Sequence, residues 1–286
     1  MINDWSRLLD GRVAVVTGGG SGIGRAISRL FAEHGALVEI VEIDPHRAAA
    51  AVEDIEATGG TARAHVVDVA SDAEVEDLRV AVVGEHGRVD VLVNNAGYGS
   101  YGALEDVPLD EARRQFDVNI FGLARLTQLV LPTMRQLGRG RIINISSIGA
   151  HIYEPLGSWY HATKFAVEGL SDSLRLELAP HGIDVVIVQP GPVRTEWNTI
   201  SRESLLEHSG DGAYAGQAQR MYANYTRVDE GPMSASPEDV ARTIVTAVTT
   251  SRPRSRYAVP FSAGLIVRLR RTLPDRVMDA ILSRMA

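Results

Sequence analysis

Thr17-Gly18-Gly19-Gly20-Ser21-Gly22-Ile23-Gly24 stands directly between an apolar run at 12–17 and a helical pattern at 23–34. Glycines here permit a tight turn and close backbone approach, and the free N–H groups opening the helix attract an anion. Such a turn is weak by itself, because many loops are glycine-rich. Its place between first strand and first helix is what points to a pyrophosphate. Gly18, Ser21, Gly22, Ile23 and Gly24 are then the residues offered to a dinucleotide. No Gly-x-x-x-x-Gly-Lys-Ser/Thr is present, so a nucleoside triphosphate loop is not indicated.

The second apolar run, 37–42, ends at Glu42, about twenty residues beyond the glycines. A carboxylate there can accept from the adenosine ribose hydroxyls of NAD and would repel the 2′-phosphate of NADP. The expected cofactor is therefore NAD. Should NADP bind instead, Arg25 and Arg47 are the nearest cations to meet its phosphate. Asp44 is a rival for the role of Glu42 but lies a little late, and an exposed strand-end charge is the plainer alternative.

Outward from this turn the chain keeps one rhythm. Strand-like runs at 12–17, 37–42, 64–67, 89–93, 141–146, 184–189 and 256–259 alternate with helical stretches near 23–34, 45–58, 72–85, 110–137 and 160–179. That alternation predicts an α/β fold, a Rossmann-like doubly wound parallel sheet with helices on both faces. No linker or repeat divides residues 1–286, so a single domain is expected. Two stretches break the rhythm. Residues 195–232, rich in Gly, Ser, Tyr and Met, are expected to form short helices over the substrate. Residues 264–286 are expected to form a C-terminal helical extension, with Pro274 placed to start a helix whose Val277, Met278, Ile281, Leu282 and Met285 share one face.

Composition narrows the function classes. A net charge of −7 offers no global positive field for nucleic acid. The absence of cysteine removes disulfides, thiol nucleophiles and Cys-based metal sites, and no histidine spacing suggests a metal ligand set. The first residues, Met1-Ile2-Asn3-Asp4-Trp5, lack the character of a signal peptide, and no run is long enough to span a membrane, so a cytoplasmic protein is expected.

Chemistry enters at Lys164. It is the only lysine in a chain whose other cationic side chains are all arginine, and it follows Tyr160 by four residues. On a helix that spacing puts both on one face, where a compact ammonium can favour phenolate. Bringing a phenol from about 10 to about 7 needs roughly 4 kcal/mol of differential stabilisation. Elsewhere, Asn119 and Gly122 interrupt the expected helix 110–137. Relative to alanine they cost about 0.6 and about 1 kcal/mol, so a local distortion is expected there, with a packing contact as the simpler explanation.

With these residues in hand, the chain closely resembles the short-chain dehydrogenase/reductases in their classical branch. The matching motifs are Thr17-Gly18-x-x-x-Gly22-Ile23-Gly24, Asp68-Val69, Asn94-Asn95-Ala96-Gly97, Asn119, Ser147, Tyr160-x-x-x-Lys164 and Pro190-Gly191. They run in family order across about residues 10–260. The resemblance implies a sheet of about seven strands and a catalytic set of Asn119, Ser147, Tyr160 and Lys164. Ser146 and Ser147 end the same strand, and only family spacing, thirteen residues before the tyrosine, selects Ser147. It further implies that Asp68 and Val69 flank the adenine and that Asn95, Ala96 and Gly97 line the adenosine side. Pro190, Gly191, Val193 and Thr195 would line the nicotinamide end. For Asp68, local capping beside Ser71 is the alternative.

The expected reaction is reversible hydride transfer between a nicotinamide cofactor and an alcohol/carbonyl pair, with Tyr160 as acid/base. Tyr98, Tyr101, Tyr153, Tyr214, Tyr222, Tyr225, Trp197 and Met221 fall in segments near the carboxyl ends of the strands. A bulky apolar alcohol or ketone is therefore the expected small-molecule substrate, although some of these rings would only pack the lid. The family resemblance implies a homodimer or homotetramer. The extension is expected to pack within the chain or on a partner rather than on a membrane surface, despite Arg268, Arg270, Arg271, Arg276 and Arg284. The rival readings are an NADPH-dependent carbonyl reductase and a non-catalytic dinucleotide sensor or scaffold. The latter has no need of a phenolate.

Overall fold

The computed structural model describes residues 7–229, 231 and 234–283. The expectations for the N-terminal residues 1–6, for Pro232 and for Arg284 and Met285 lie outside the described residues. In chain order the elements are β1 (Val13–Thr17), α1 (Gly22–Glu33), β2 (Leu37–Glu42), α2 (Pro45–Ala57), β3 (Thr61–Val66), α3 (Asp72–His86), β4 (Val91–Asn94), α4 (Leu109–Phe116), α5 (Leu123–Leu137), β5 (Gly140–Ile145), α6 (Ser158–Leu178), β6 (Ile183–Pro190), α7 (Glu196–Ser209), α8 (Ala215–Asp229), α9 (Pro237–Thr249), β7 (Arg256–Val259), α10 (Phe261–Thr272) and α11 (Asp275–Leu282). The seven strands are all parallel and lie in the order β3-β2-β1-β4-β5-β6-β7. The order reverses between β1 and β4, and a doubly wound sheet opens its ligand crevice there.

Strand periodicity divides the core. Ala14, Val16, Val38, Ile40, Ile143, Val186 and Val188 pack with Ile27 and Phe31 of α1, Ile55 of α2 and Ile244 and Val248 of α9. Their neighbours Val13, Val15, Val41, Leu92, Ile142 and Val185 face the opposite way, onto α3, α5 and the end of α6. Side chains alternate across each strand, so both faces are apolar and helices cover both.

Three elements depart from the sequence expectation. The helix expected at 110–137 is broken by a π-helical turn, Asp117–Gly122, between α4 and α5. Its cause is visible: a Cβ on Gly122 would stand 2.6 Å from the Val69 carbonyl oxygen, so the backbone approaches the loop between β3 and α3 too closely for any side chain. The packing explanation accounts for this glycine. Second, the 195–232 excursion holds α7 and α8, of 14 and 15 residues, rather than short helices. They pack on each other around Leu205, Ala218 and Met221. Third, no element was expected over 237–249. α9 begins there with a capping box in which Ser236 and Asp239 satisfy each other's backbone N–H groups and Pro237 takes the first turn.

The extension packs back onto the chain. Met278 and Leu282 are buried with Ile152, against Tyr153, Ile266 and Leu273. The Tyr153 hydroxyl donates to Asp279 at 2.8 Å, and the Arg270 guanidinium lies 5.5 Å from the Tyr153 ring centre. Val277 and Ile281, the other described half of the expected apolar face, are exposed. Among the described residues no helix is long and apolar enough to cross a membrane.

Candidate active site

One cavity of about 510 Å³ runs along the carboxyl ends of the strands, from the glycine turn to the C-terminal helices. At one end it is lined by Gly18, Ser21, Gly22 and Ile23. A Cβ on Gly24 would fall 1.9 Å from the Gly18 carbonyl oxygen, so only glycine lets α1 start this close beneath the turn. Ser21 precedes the helix without capping it by its side chain, which leaves hydroxyl and first-turn N–H groups toward the cavity. These features fit a dinucleotide pyrophosphate.

Asn95, Ala96 and Gly97 form the next stretch of wall. They are tied to β1 through Thr17, whose hydroxyl accepts the N–H groups of Asn95 and Ala96, both at 2.9 Å. The Asn95 amide donates to the Thr17 carbonyl at 2.9 Å. Pro190, Gly191, Val193 and Thr195 close the far side, where the Thr195 methyl would lie 3.3 Å from a Cβ on Gly22.

Glu42 is buried and turned into the glycine loop. Its carboxylate accepts the Gly20 N–H at 3.1 Å and the Ile43 N–H at 3.0 Å. Asp44, the rival, is the N-cap of α2 and accepts from His46 at 2.8 Å and Arg47 at 3.2 Å. Arg25 pairs with Asp54, and Arg47 with Glu196 at 3.0 Å. Asp68 pairs with Arg114 at 2.8 Å and accepts the Ala70 N–H at 3.0 Å, while Ser71 caps α3. Glu42, Asp68, Val69, Gly24 and Asn119 are not among the residues that line this cavity.

Asn119 lies within the π turn and is 2 % exposed. Its amide donates to the Tyr98 carbonyl at 2.9 Å and to the Thr163 hydroxyl at 3.1 Å, and its oxygen accepts the Tyr98 N–H at 3.1 Å. It thereby fastens the loop after β4 to the helix carrying Tyr160 and Lys164. π turns recur at functional sites, and here the turn aims one asparagine at both.

Tyr160, Ser147 and Lys164 meet at the centre. The Ser147 hydroxyl accepts the Gly149 N–H at 3.0 Å and lines the cavity with the Tyr160 phenol, whose pKa it lowers. The Ser146 hydroxyl is buried without a hydrogen-bond partner. Geometry thus distinguishes the two serines, as their sequence alone does not. The Tyr160 ring packs 5.4 Å from Tyr101 and 5.3 Å from Trp197, centre to centre. The Lys164 ammonium donates to the Ile145 carbonyl at 3.0 Å and lies 5.8 Å from the Tyr160 ring centre.

Burial pushes the Tyr160 phenol well above its ordinary range; the Ser147 hydrogen bond opposes this and the Glu154 charge adds to it. Among the protein's own groups, desolvation and not the Lys164 cation governs this phenol, so the acidity expected from Lys164 is not met. Lys164 itself is pushed down to about 8 by burial, against the Glu168 charge, which holds its proton on.

Glu168 is a residue the sequence reading missed. It follows Lys164 by one turn, accepts the Gln189 amide at 2.9 Å and pairs with Arg256 at 2.9 Å. The i, i+4 spacing was a visible signal, but its burial was not. Lys164 is cationic below its pKa and loses that charge as pH rises through about 8. Glu168→Gln removes the support, so the alkaline limb of kcat should move to lower pH and turnover at pH 8 should fall several-fold. An unmoved limb in a pH–rate profile would separate Glu168 from Lys164. The sequence reading also missed Glu154 and the half-buried Arg202–Asp229 pair on the same wall.

Of the aromatic set, Tyr101, Tyr225 and Trp197 reach the cavity, joined by Ile266, Leu269 and Ile281 from the C-terminal helices. Tyr214, Tyr222 and Met221 pack the α7–α8 pair, Tyr153 meets α11 and Tyr98 joins the core. No group of residues that could hold a metal ion occurs among the described residues.

Comparison with known proteins places these features. Residues 12–205 match the short chain dehydrogenase family. A 3-ketodihydrosphingosine reductase of Bacteroides thetaiotaomicron is 34 % identical over 269 residues, 94 % of this chain and 95 % of that protein. An NADPH-dependent 3-dehydrocapnine reductase of Ornithobacterium rhinotracheale is 34 % identical over 279 residues, again 94 % of this chain and 95 % of the other. The crystal structure of a short chain dehydrogenase/reductase from Burkholderia phymatum in complex with NAD superposes with a TM-score of 0.81, at 26 % identity and 96 % coverage of both chains.

Proposed function

The chain belongs to the short chain dehydrogenase family, and we propose that it is an oxidoreductase interconverting a bulky apolar secondary alcohol and its ketone with NAD(H). The observation that carries this reading is the cavity in which Tyr160, beside Ser147 and one turn from Lys164, lies between a dinucleotide turn and an apolar wall. When bound, the nicotinamide supplies or accepts the hydride. Tyr160 gives its phenolic proton to the carbonyl oxygen in reduction and takes it from the alcohol in oxidation. Ser147 orients that oxygen and donates to its developing charge. Lys164, cationic below about 8, holds the cofactor's ribose side and the proton path, and Asn119 fixes the π turn beside it. A phenol kept protonated by burial suits proton delivery to a ketone.

The preference for NAD rests on Glu42, fixed at the end of β2, and on Arg25 and Arg47 being engaged by Asp54 and Glu196. The name of the dehydrocapnine reductase favours NADPH as the second reading. Titrations of NADH and NADPH followed by nicotinamide fluorescence separate the two: NADH should bind about tenfold or more tightly. Tighter NADPH binding would reverse the cofactor and make carbonyl reduction with NADPH the function.

The apolar substrate class is supported by Ile266, Leu269 and Ile281 bringing the extension into the cavity wall. A second copy of the chain has a natural seat on the π turn and α6, where Phe121, Phe165 and Leu176 are exposed at 60 %, 50 % and 68 %.

A further inference from the structure

We propose that the substrate end of the cavity carries an ammonium subsite, formed by Glu154 with the rings of Tyr101, Trp197 and Tyr225. The substrate is then an amino ketone or amino alcohol whose remainder is apolar. This deepens the hydride-transfer reading above and rests on it.

Glu154 lines the cavity with its side chain only 15 % exposed. A carboxylate removed from water is costly unless a cation or several donors meet it. Among the described residues the basic side chain beside it is His161, at 3.2 Å. That ring brings no charge of its own accord. Its Nδ1 lies 2.8 Å from the Gly149 carbonyl and donates to it, and its Nε2 accepts the backbone N–H of Glu154 at 3.0 Å. These two partners describe a neutral imidazole with both nitrogens used. The Tyr225 hydroxyl, at 3.5 Å, is the remaining donor.

The other charges on the wall are matched elsewhere. Arg202 pairs with Asp229, Glu196 with Arg47, and Lys164 sits over the Ile145 carbonyl with Glu168 supporting its charge. The charge of Glu154 is felt by the Tyr160, Tyr101 and Tyr225 phenols. Lys164 feels Glu168 instead. The carboxylate thus faces the reacting tyrosine from the substrate side.

The surrounding rings suit a cation. Tyr101 meets Tyr225 edge to face at 5.8 Å and Trp197 edge to face at 6.4 Å, and Trp197 lies 5.3 Å from Tyr160. Aromatic faces beside a carboxylate attract ammonium groups, the more so when desolvated. The loop is held for this purpose at a steric cost: Leu156 adopts a left-handed backbone, φ 62°, and its carbonyl accepts the Gly102 N–H at 2.7 Å. The same carboxylate would repel an acidic substrate.

In the reduction the carbonyl carbon receives hydride from NAD(P)H, its oxygen receives the Tyr160 proton, and the ammonium is carried through unchanged. The test uses two long-chain alkyl ketones of equal length, one with an amine on the carbon beside the carbonyl and one with a methyl there. In the wild type kcat/KM should favour the amine by about 30-fold. Glu154→Gln should erase that ratio, chiefly through KM for the amine, while any effect of the lost charge on the Tyr160 phenol falls on both ketones alike. Equal losses on both ketones would overturn the subsite, and so would a wild type indifferent to the amine, a result that stands even if the variant does not fold. Turnover of the methyl ketone alone overturns the subsite and leaves the hydride-transfer reading intact, whereas turnover of neither overturns both.

Discussion

Tyr160→Phe should reduce turnover by about 10³-fold while leaving NADH affinity within about twofold, because it deletes a proton carrier and little else. The ring it leaves behind keeps the same neighbours, Tyr101 at 5.4 Å and Trp197 at 5.3 Å, in a position only 7 % exposed. Ser147 keeps its bond from the Gly149 N–H. Loss should therefore appear in kcat, with KM for the ketone little changed, since the missing hydroxyl acts as charge develops on the substrate oxygen. Steady-state kinetics paired with a fluorescence titration of NADH provide the check. Turnover near that of the wild type would remove Tyr160 from the chemistry.

What the sequence made legible follows the range of the interactions involved. β2 and β7 fall where the apolar runs end, at Leu37–Glu42 and Arg256–Val259, because strand patterning depends on residues two apart. The Tyr160–Lys164 face and the Asn119 distortion were equally readable, since both are one-turn relations. α9 has its signal too, in Ser236-Pro237-Glu238-Asp239 followed by Val240, Ala241, Ile244 and Val245, a local pattern of cap and apolar face.

Long-range burial was not readable. Glu168 becomes a support for Lys164 through Arg256, which is 88 residues away in the chain. Glu154 gains its meaning from Tyr225, 71 residues later. Glu42 reads as a free strand-end carboxylate until the turn 22 residues earlier is seen folded against it. The upward shift of Tyr160 belongs with these, since desolvation is a property of the closed cavity and spacing reports only the cation.

Lys164→Arg keeps the charge and should still cost about 10²-fold in kcat. The lysine ammonium is a compact donor that meets one acceptor, the Ile145 carbonyl, at 3.0 Å. A planar guanidinium spreads five donors over a wider fork and finds no matching set there, so it must either displace the wall near Tyr160 or withdraw from Ile145. The pH profile separates this account from simple misfolding. Lys164 loses its proton near pH 8, so the wild-type rate should fall through that region. An arginine does not titrate there, and the residual activity of the variant should lack that limb while its thermal unfolding stays close to that of the wild type. Retention of the limb would assign it to another group and detach Lys164 from the proton path. In a chain that places arginine at every other basic position, full activity with arginine here would mean that the size and titration of this one cation do not matter to the site.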